Sequence, residues 1–283
     1  MSTWRQVRFS AAKSGLRVPM VWIRHRGLKR NDVFVASYPR SGSTWLRFML
    51  FEILTQKGAE FEDINRHIPD VGGQRDAVAL LPNQGRLIKT HEPFRPDYKR
   101  AIYVFRDGRD VAFSEYAYHT AQGWIDYSFD EYLKMFVKGT ASYYGSWQKH
   151  IRGWIDSPLN ARGDLMPVSY LELMQKSEPT LTRIAEFLNV RVPAQVIQNA
   201  IRNNSIQNMR KKEDRAPQIP CDPRTKSIPE EKRFVRSGTV NGWRERLTPA
   251  QAEFLQRNTG KMLVRLGFEE DPSAVPASTV CAD

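Results

Sequence analysis

The chain has 283 residues, of which 41% are hydrophobic and 26% charged, enough apolar surface for a sizeable core and too much for a globally disordered polypeptide. A single α/β domain accommodates this length. Lys and Arg outnumber Asp and Glu by 43 to 31, and the resulting net charge of +12 is a field that concentrates anionic small molecules, nucleic acids or acidic membranes. Cys221 and Cys281 are the two cysteines, without a CxxC or Cys/His spacing, so a reducing compartment is expected and a metal or redox pair is not.

Residues 1–31 form a basic arm, readable as an irregular segment packed on the core or as a short surface helix. Its longest apolar run, Val18 to Ile23, is too short and interrupted for a signal segment, and nothing elsewhere approaches a membrane span. A single domain is expected over 32–268, with a flexible tail at 269–283.

After Asp32, the run VFVAS reads as a buried strand that ends at Tyr38-Pro39. Leu46, Met49, Leu50, Ile53 and Leu54 then fall at helical spacing, with Ser43 or Thr44 placed to cap that helix. A polar stretch follows, then strands at Arg86 to Thr90 and Ala101 to Phe105. The second of these runs into RDGRD and a helix, and such alternation predicts a parallel sheet. Ser128 and Glu131 form a capping box for a helix through Val137, and a further helix is expected from Tyr143 to Ile155. Leu165 to Ser169 is the fourth strand, and Thr180 to Leu188 and Ala194 to Ile201 are helical. Residues 213–233, with Pro217, Pro220, Pro223 and Pro229 among many charges, read as a mobile loop that could serve as a lid. Thr248-Pro249 begins a last helix through Leu266.

Ser37 to Trp45, SYPRSGSTW, lies where a strand hands over to a helix, so backbone N–H groups and the helix dipole face whatever anion fills the loop. Gly42 permits close approach, Ser41, Ser43 and Thr44 add hydroxyls, and Arg40 can chelate two oxygens. The loop does not match GxxxxGK[ST], which disfavours an ordinary NTP-hydrolysing site. It resembles the 5′-phosphosulfate loop of the sulfotransferase family, usually YPKSGTTW, with Arg40 in place of the usual Lys. IYVFRDGRDVAFSEY, Ile102 to Tyr116, is similar to that family's 3′-phosphate site, which implies that role for Arg106 and Ser114. FVRSGTVNGW, from Phe234 to Trp243, resembles the family's RKGxxGDW segment. It implies contacts from Phe234, Arg236, Ser237 and Gly238, with Ser237 where Lys and Asn241 where Asp is usual.

The resemblance also implies an adenine platform at Trp45, nucleotide contacts at Ser205 and Ile206, and a Tyr near the base at Tyr170. IKTHEP resembles the family's KTHLP and makes His91 the candidate general base, because imidazole titrates near neutrality. Lys89, two residues earlier on the same side of the strand, can neutralise charge on the transferred group. Glu92 stands where Leu is usual and suggests a different or more polar acceptor site.

The implied fold is a single domain with a central parallel sheet flanked by helices, P-loop-kinase-like. The implied reaction is transfer of a sulfuryl group from 3′-phosphoadenosine 5′-phosphosulfate (PAPS) to a hydroxyl or amine, with 3′-phosphoadenosine 5′-phosphate (PAP) as product and no metal. A small-molecule acceptor, a metabolite, is expected in the cytoplasm, its pocket lined from residues 58–85 and 116–145. No nucleic-acid partner is expected, and a homodimer stays open. A kinase of related fold lacks its Lys-Ser loop and magnesium carboxylate here. A basic nucleic-acid-binding module lacks a zinc finger, basic zipper or aromatic RNA motif.

Overall fold

The computed structural model describes residues 17–216, 233, 235, 238 and 240–270. A short helix, α1 (Arg17–Arg24), precedes β1 (Val33–Ser37). Next come α2 (Ser43–Thr55), α3 (Phe61–His67), β2 (Leu87–Thr90), β3 (Ala101–Phe105), α4 (Gly108–Ala121), α5 (Phe129–Lys138), α6 (Trp147–Ile155) and α7 (Pro158–Ala161). β4 (Leu165–Ser169) leads into α8 (Tyr170–Gln175), α9 (Ser177–Phe187), α10 (Ala194–Asn203) and α11 (Ile206–Arg215). The described chain closes on α12 (Trp243–Arg246) and α13 (Pro249–Arg265).

The four strands form one sheet in the order β2-β1-β3-β4, and every neighbouring pair is parallel. Alternate residues of each strand serve opposite cores. Val33 and Val35 of β1 and Ile102 and Val104 of β3 pack with Leu46, Met49 and Leu50 of α2. Phe34 and Ala36, with Ala101 and Tyr103, pack on the other face with Val111 and Ala112 of α4, Tyr132 of α5 and Trp154 of α6. Burial on both faces is why the strands read as unbroken apolar runs.

Helix α2 leaves β1 on one face, and α4 leaves β3 on the other. The loops after these adjacent strands therefore part, and a crevice opens between them at the carboxyl edge of the sheet.

All four expected strands are present, β2 beginning one residue later than expected. Ser128 and Thr248 cap α5 and α13 by the expected capping boxes. Three readings need correction. Neither Ser43 nor Thr44 caps α2, which starts directly after Gly42 (φ 98°) without a side-chain cap, because the loop turns in the left-handed region there. α6 begins at Trp147, where Ser146 caps it by accepting from the Lys149 N–H; residues 143–146 stay non-helical. The run read as loop from residue 213 first completes α11, and its prolines fall outside the described residues.

At the opposite edge of the sheet, Arg86 and Asp32 form a buried, bidentate pair, with Nε–Oδ1 at 2.9 Å and Nη2–Oδ2 at 2.7 Å. The guanidinium also donates to the carbonyls of Gln74 and Gly27, so one buried cation ties the starts of β1 and β2 to the turns beneath them. Removing one partner strands a buried charge. Asp32→Ala should therefore cost about 3–5 kcal/mol in urea unfolding; a loss below about 1 kcal/mol would show that water replaces the carboxylate.

Candidate active site

The loop after β1 is held by its own backbone conformation and by a neighbouring ring. Arg40 has φ 64° and Gly42 φ 98°. A Cβ at Gly42 would lie 2.5 Å from Tyr170, so both torsion and space demand glycine. Behind the loop, Ser37 Oγ donates to Ser43 Oγ at 2.9 Å. Ser41 is buried, and its hydroxyl has no hydrogen-bond partner among the described residues.

The end of β3 meets this loop across the crevice. Arg40 Nε donates to Ser114 Oγ of α4 at 3.1 Å, and its guanidinium lies over the Tyr118 ring at 4.8 Å. Arg106 donates to the Arg40 carbonyl at 3.4 Å, sits 3.5 Å from Asp110, and covers the Tyr170 ring at 4.6 Å. Asp110 also accepts from the Trp243 N–H at 2.9 Å, which brings the third motif against the second. Two guanidinium groups, one hydroxyl and the first turn of α2 thus surround a single space.

His91 follows β2. Its Nδ1 lies 2.7 Å from the Ser37 carbonyl, an acceptor only, so Nδ1 carries the hydrogen and Nε2 keeps its lone pair. Burial, with Lys89 adding to it, lowers the His91 pKa to about 3, and the ring is neutral at physiological pH. Lys89 is pulled below the usual ammonium value by burial, although Asp70 at 2.9 Å offsets part of that. Burial opposes ionisation of Asp70, but Lys89 and then Arg47 outweigh it and hold the carboxyl well below its usual range.

The main chain around His91 is pinned from several sides. His150 Nε2 bonds the His91 carbonyl at 2.9 Å, Trp154 Nε1 donates to the Glu92 carbonyl at 3.2 Å, and Thr90 Oγ1 accepts from the Glu92 N–H at 3.0 Å. The Glu92 carboxylate turns away from the crevice, against Arg17 at 2.6 Å and Arg24 at 3.9 Å. The expectation that Glu92 makes the acceptor site more polar is therefore corrected: buried ion pairing with α1 occupies it.

A cavity of about 400 Å³ gathers most of the expected residues: Arg40, Gly42, Ser43, Thr44, Trp45, Lys89, His91, Arg106, Ser114, Tyr170, Ile206 and Gly238 all line it. Trp45 meets Tyr170 edge to face at 6.1 Å, and its indole N–H donates to the Asn204 carbonyl at 2.7 Å. Two expected residues are not in the wall. Ser41 lies beneath the loop, and Ser205 accepts from the Asn208 N–H as the N-cap of α11, so its hydroxyl does structural work. Phe234, Arg236 and Ser237 lie outside the described residues.

Of the segments expected to form an acceptor pocket, 116–145 contributes Tyr118, His119, Trp124 and the run Ala141 to Tyr144, whereas 58–85 contributes no wall residue. Asp70 of that segment acts instead through Lys89. Glu115 was not anticipated. It lies beside Ser114 on α4, almost fully buried, and burial raises its pKa to about 7 against the opposing pull of Tyr132 and Arg40. Its place on the inner face of α4 was the one signal available.

A carboxyl with a raised folded-state pKa is penalised as pH rises from its unfolded value to its folded one. Glu115→Gln should leave stability unchanged near pH 4 and raise it increasingly up to about pH 7, after which the gain levels off. Thermal melts of both proteins across that range check this; a gain independent of pH would show that ionisation of Glu115 is not the cause.

An open parallel sheet with anion-directed groups at its carboxyl edge, a pinned histidine and a buried lysine beside it defines the class: a group-transfer enzyme acting on an anionic donor. The family model described as "Sulfotransferase domain" matches residues 30–267, and the chain belongs to that family. It is 28% identical over 240 residues to sulfotransferase 2A1 of Macaca fascicularis, covering 80% of this chain and 82% of that protein. It is 26% identical over 256 residues to sulfotransferase 1 family member D1 of Rattus norvegicus, covering 82% and 83%. Among solved structures, mouse sulfotransferase SULT7A1 complexed with PAP superposes with TM-score 0.61 at 20% identity, over 86% of this chain and 91% of that one. Retinol dehydratase in complex with retinol and PAP gives 0.66 at 20% identity, over 85% and 83%.

Proposed function

We propose that this sulfotransferase takes the sulfuryl group of PAPS and places it on a hydroxyl or amine of a small-molecule acceptor, leaving PAP, with His91 as general base. What carries the proposal is the convergence of the loop after β1 and the end of β3 on one cavity that also holds His91 and Lys89. The residues suit a nucleotide with phosphates at both ends. Arg40 and the loop N–H groups fit the 5′ side, and Arg106 with Ser114 fits the 3′-phosphate. Trp45 and Tyr170 offer ring surface for the base, bordered by Ile206 and Gly238. Phe234, Arg236 and Ser237 complete the 3′ side in this reading. The PAP held by mouse sulfotransferase SULT7A1 and by retinol dehydratase agrees with it.

PAPS supplies an activated sulfuryl group; the chain supplies positioning and charge. His91 Nε2 accepts the acceptor's proton as the acceptor atom bonds to sulfur, and the bridging oxygen departs with its electron pair as part of the 5′-phosphate. Arg40, Lys89 and the loop amides stabilise that developing charge, much as cations do in phosphoryl transfer. Because Nδ1 is fixed on Ser37, the base is held in one tautomer. Tyr118, Trp124, Tyr143 and Tyr144 give the acceptor side an aromatic wall, which suits an acceptor with an apolar or ring-bearing body. A cytoplasmic setting fits a relative named cytosolic sulfotransferase 13 of Arabidopsis thaliana, 24% identical over 269 residues.

By calorimetry PAP should bind far more tightly than AMP, which lacks the 3′-phosphate, and Arg106→Ala should weaken PAP by the ~1.5–3 kcal/mol of a charge-assisted hydrogen bond. Equal affinities for PAP and AMP would overturn the donor assignment.

His91→Asn should lower turnover by roughly 10²–10⁴-fold while PAP binding stays near wild type. The pH profile is measured in the Glu115→Gln background, which removes the titration of that carboxyl near pH 7. With a His91 pKa near 3 in the free protein, kcat/KM there should show no acidic limb around the ordinary histidine value and should stay flat down to about pH 5. A limb at the ordinary value, or retained turnover in the variant, would remove His91 from the role of base.

A further inference from the structure

Apolar exposure on this molecule is concentrated. Among the described residues the exposed large hydrophobic side chains are Val18, Met20, Trp22, Ile23, Val78 and Trp124, so four of the six belong to the eight-residue helix α1. Val18 is 74% exposed, Ile23 58% and Trp22 57%, while Val21 is the one buried residue of the helix. Val18 and Trp22 are one turn apart, as are Met20 and Ile23, so the exposed side chains form two neighbouring pairs.

The helix is not hanging loose. Arg17 pairs with Glu92 at 2.6 Å, Arg24 Nε donates to the Val71 carbonyl at 2.9 Å, and Gln74 donates to the carbonyls of Arg24 and Arg26 at 2.7 and 2.8 Å. Just past its end, His25 bonds the Tyr98 hydroxyl at 2.7 Å. These contacts hold α1 with its apolar residues outward, a cost that a soluble surface rarely bears without use.

Charge says what the use is. Residues 1–30 contain eight Lys and Arg and no Asp or Glu, two-thirds of the net +12 in about a tenth of the chain. Arg24, Arg26, Lys29 and Arg30 flank the apolar side chains, and the Arg26 guanidinium lies 4.2 Å from the centre of the Trp22 ring. A short basic helix with an exposed Trp and aliphatic side chains has the composition of an interfacial anchor. Its apolar area is too small to hold alone, but basic residues add electrostatic attraction at an anionic surface. A second copy of the chain would bring the same positive segment and be repelled.

We propose that α1 docks this protein on the surface of an anionic lipid bilayer, with Val18, Met20, Trp22 and Ile23 entering the interface and Arg26, Lys29 and Arg30 facing lipid phosphates. The dock adjoins the acceptor side of the cavity: the Arg17 guanidinium lies 5.3 Å from the centre of the Tyr144 ring, and Tyr144 is part of the cavity wall. Docking does not depend on the reaction proposed for that cavity.

The full-length chain is floated with vesicles of phosphatidylcholine alone and of phosphatidylcholine mixed with phosphatidylglycerol, with light scattering of the lipid-free protein alongside. The wild type should float with the anionic vesicles only and be released by salt. A Trp22→Ser, Ile23→Ser double variant should lose roughly tenfold or more in vesicle affinity. Both substituted positions are exposed, so its melting temperature and PAP affinity should match the wild type. Absence of flotation overturns the proposal. So does flotation that the double variant leaves unchanged, which would reduce the effect to charge alone. Self-association of the wild type that the variant abolishes, without flotation, would assign the face to a second copy.

Discussion

The left-handed turn through Arg40 and Gly42 is the constraint on which the rest of the site depends. It lets α2 start abruptly at the carboxyl edge of β1, so that the first-turn N–H groups, free of intrahelical partners, point into the crevice. It also throws the Arg40 side chain sideways onto Ser114, across the line where α2 and α4 diverge to opposite faces of the sheet. A side chain at position 42 would strike Tyr170, the ring that Arg106 covers. One glycine therefore lets the loop after β1 and the Tyr170–Arg106 pair approach across the cavity.

Electrostatics in the cavity work by burial rather than by exposed charge. His91, Lys89 and His150 are each pushed toward their neutral forms by loss of water, and Glu115 is pushed the same way from the other side of the titration scale. His91 is nonetheless positioned by hydrogen bonds that demand one tautomer, with its carbonyl held by His150. Burial keeps the imidazole unprotonated, and an anion entering the space would favour its protonated form. In the proposed reaction, proton acceptance by His91 is thereby linked to the presence of a negatively charged donor.

Much of this was legible in the sequence because strands buried on both faces leave uninterrupted apolar runs, and all four were found. Helices with true caps were legible at Ser128 and Thr248. A cap alone was not enough: Ser169 and Ser205 cap α8 and α11, yet both helices were missed, because α8 follows β4 with no intervening loop and α11 has little apolar periodicity beyond Ile206 and Met209. In the site, local motifs brought together Arg40, Arg106, Ser114, His91 and Lys89. Glu115, Asp70 and Tyr144 carry no motif; they reach the cavity or its lysine only through packing between distant segments. Glu92 was misjudged for the same reason, since its partners Arg17 and Arg24 are about seventy residues away.

That long-range pairing also joins the two ends of the functional argument. Glu92 follows His91 directly, its carbonyl is held by Trp154, and its carboxylate is held by the two arginines of α1. Arg17 in turn lies over Tyr144, whose ring stands 5.7 Å from that of His91. A buried carboxylate needs such cations, because unpaired it would be costly. The carboxylate adds to the Val71, Gln74 and Tyr98 contacts that keep α1 on the surface with its apolar residues outward. The carboxylate that stands beside His91 thus pairs with the basic helix, and through Tyr144 the helix adjoins the cavity wall.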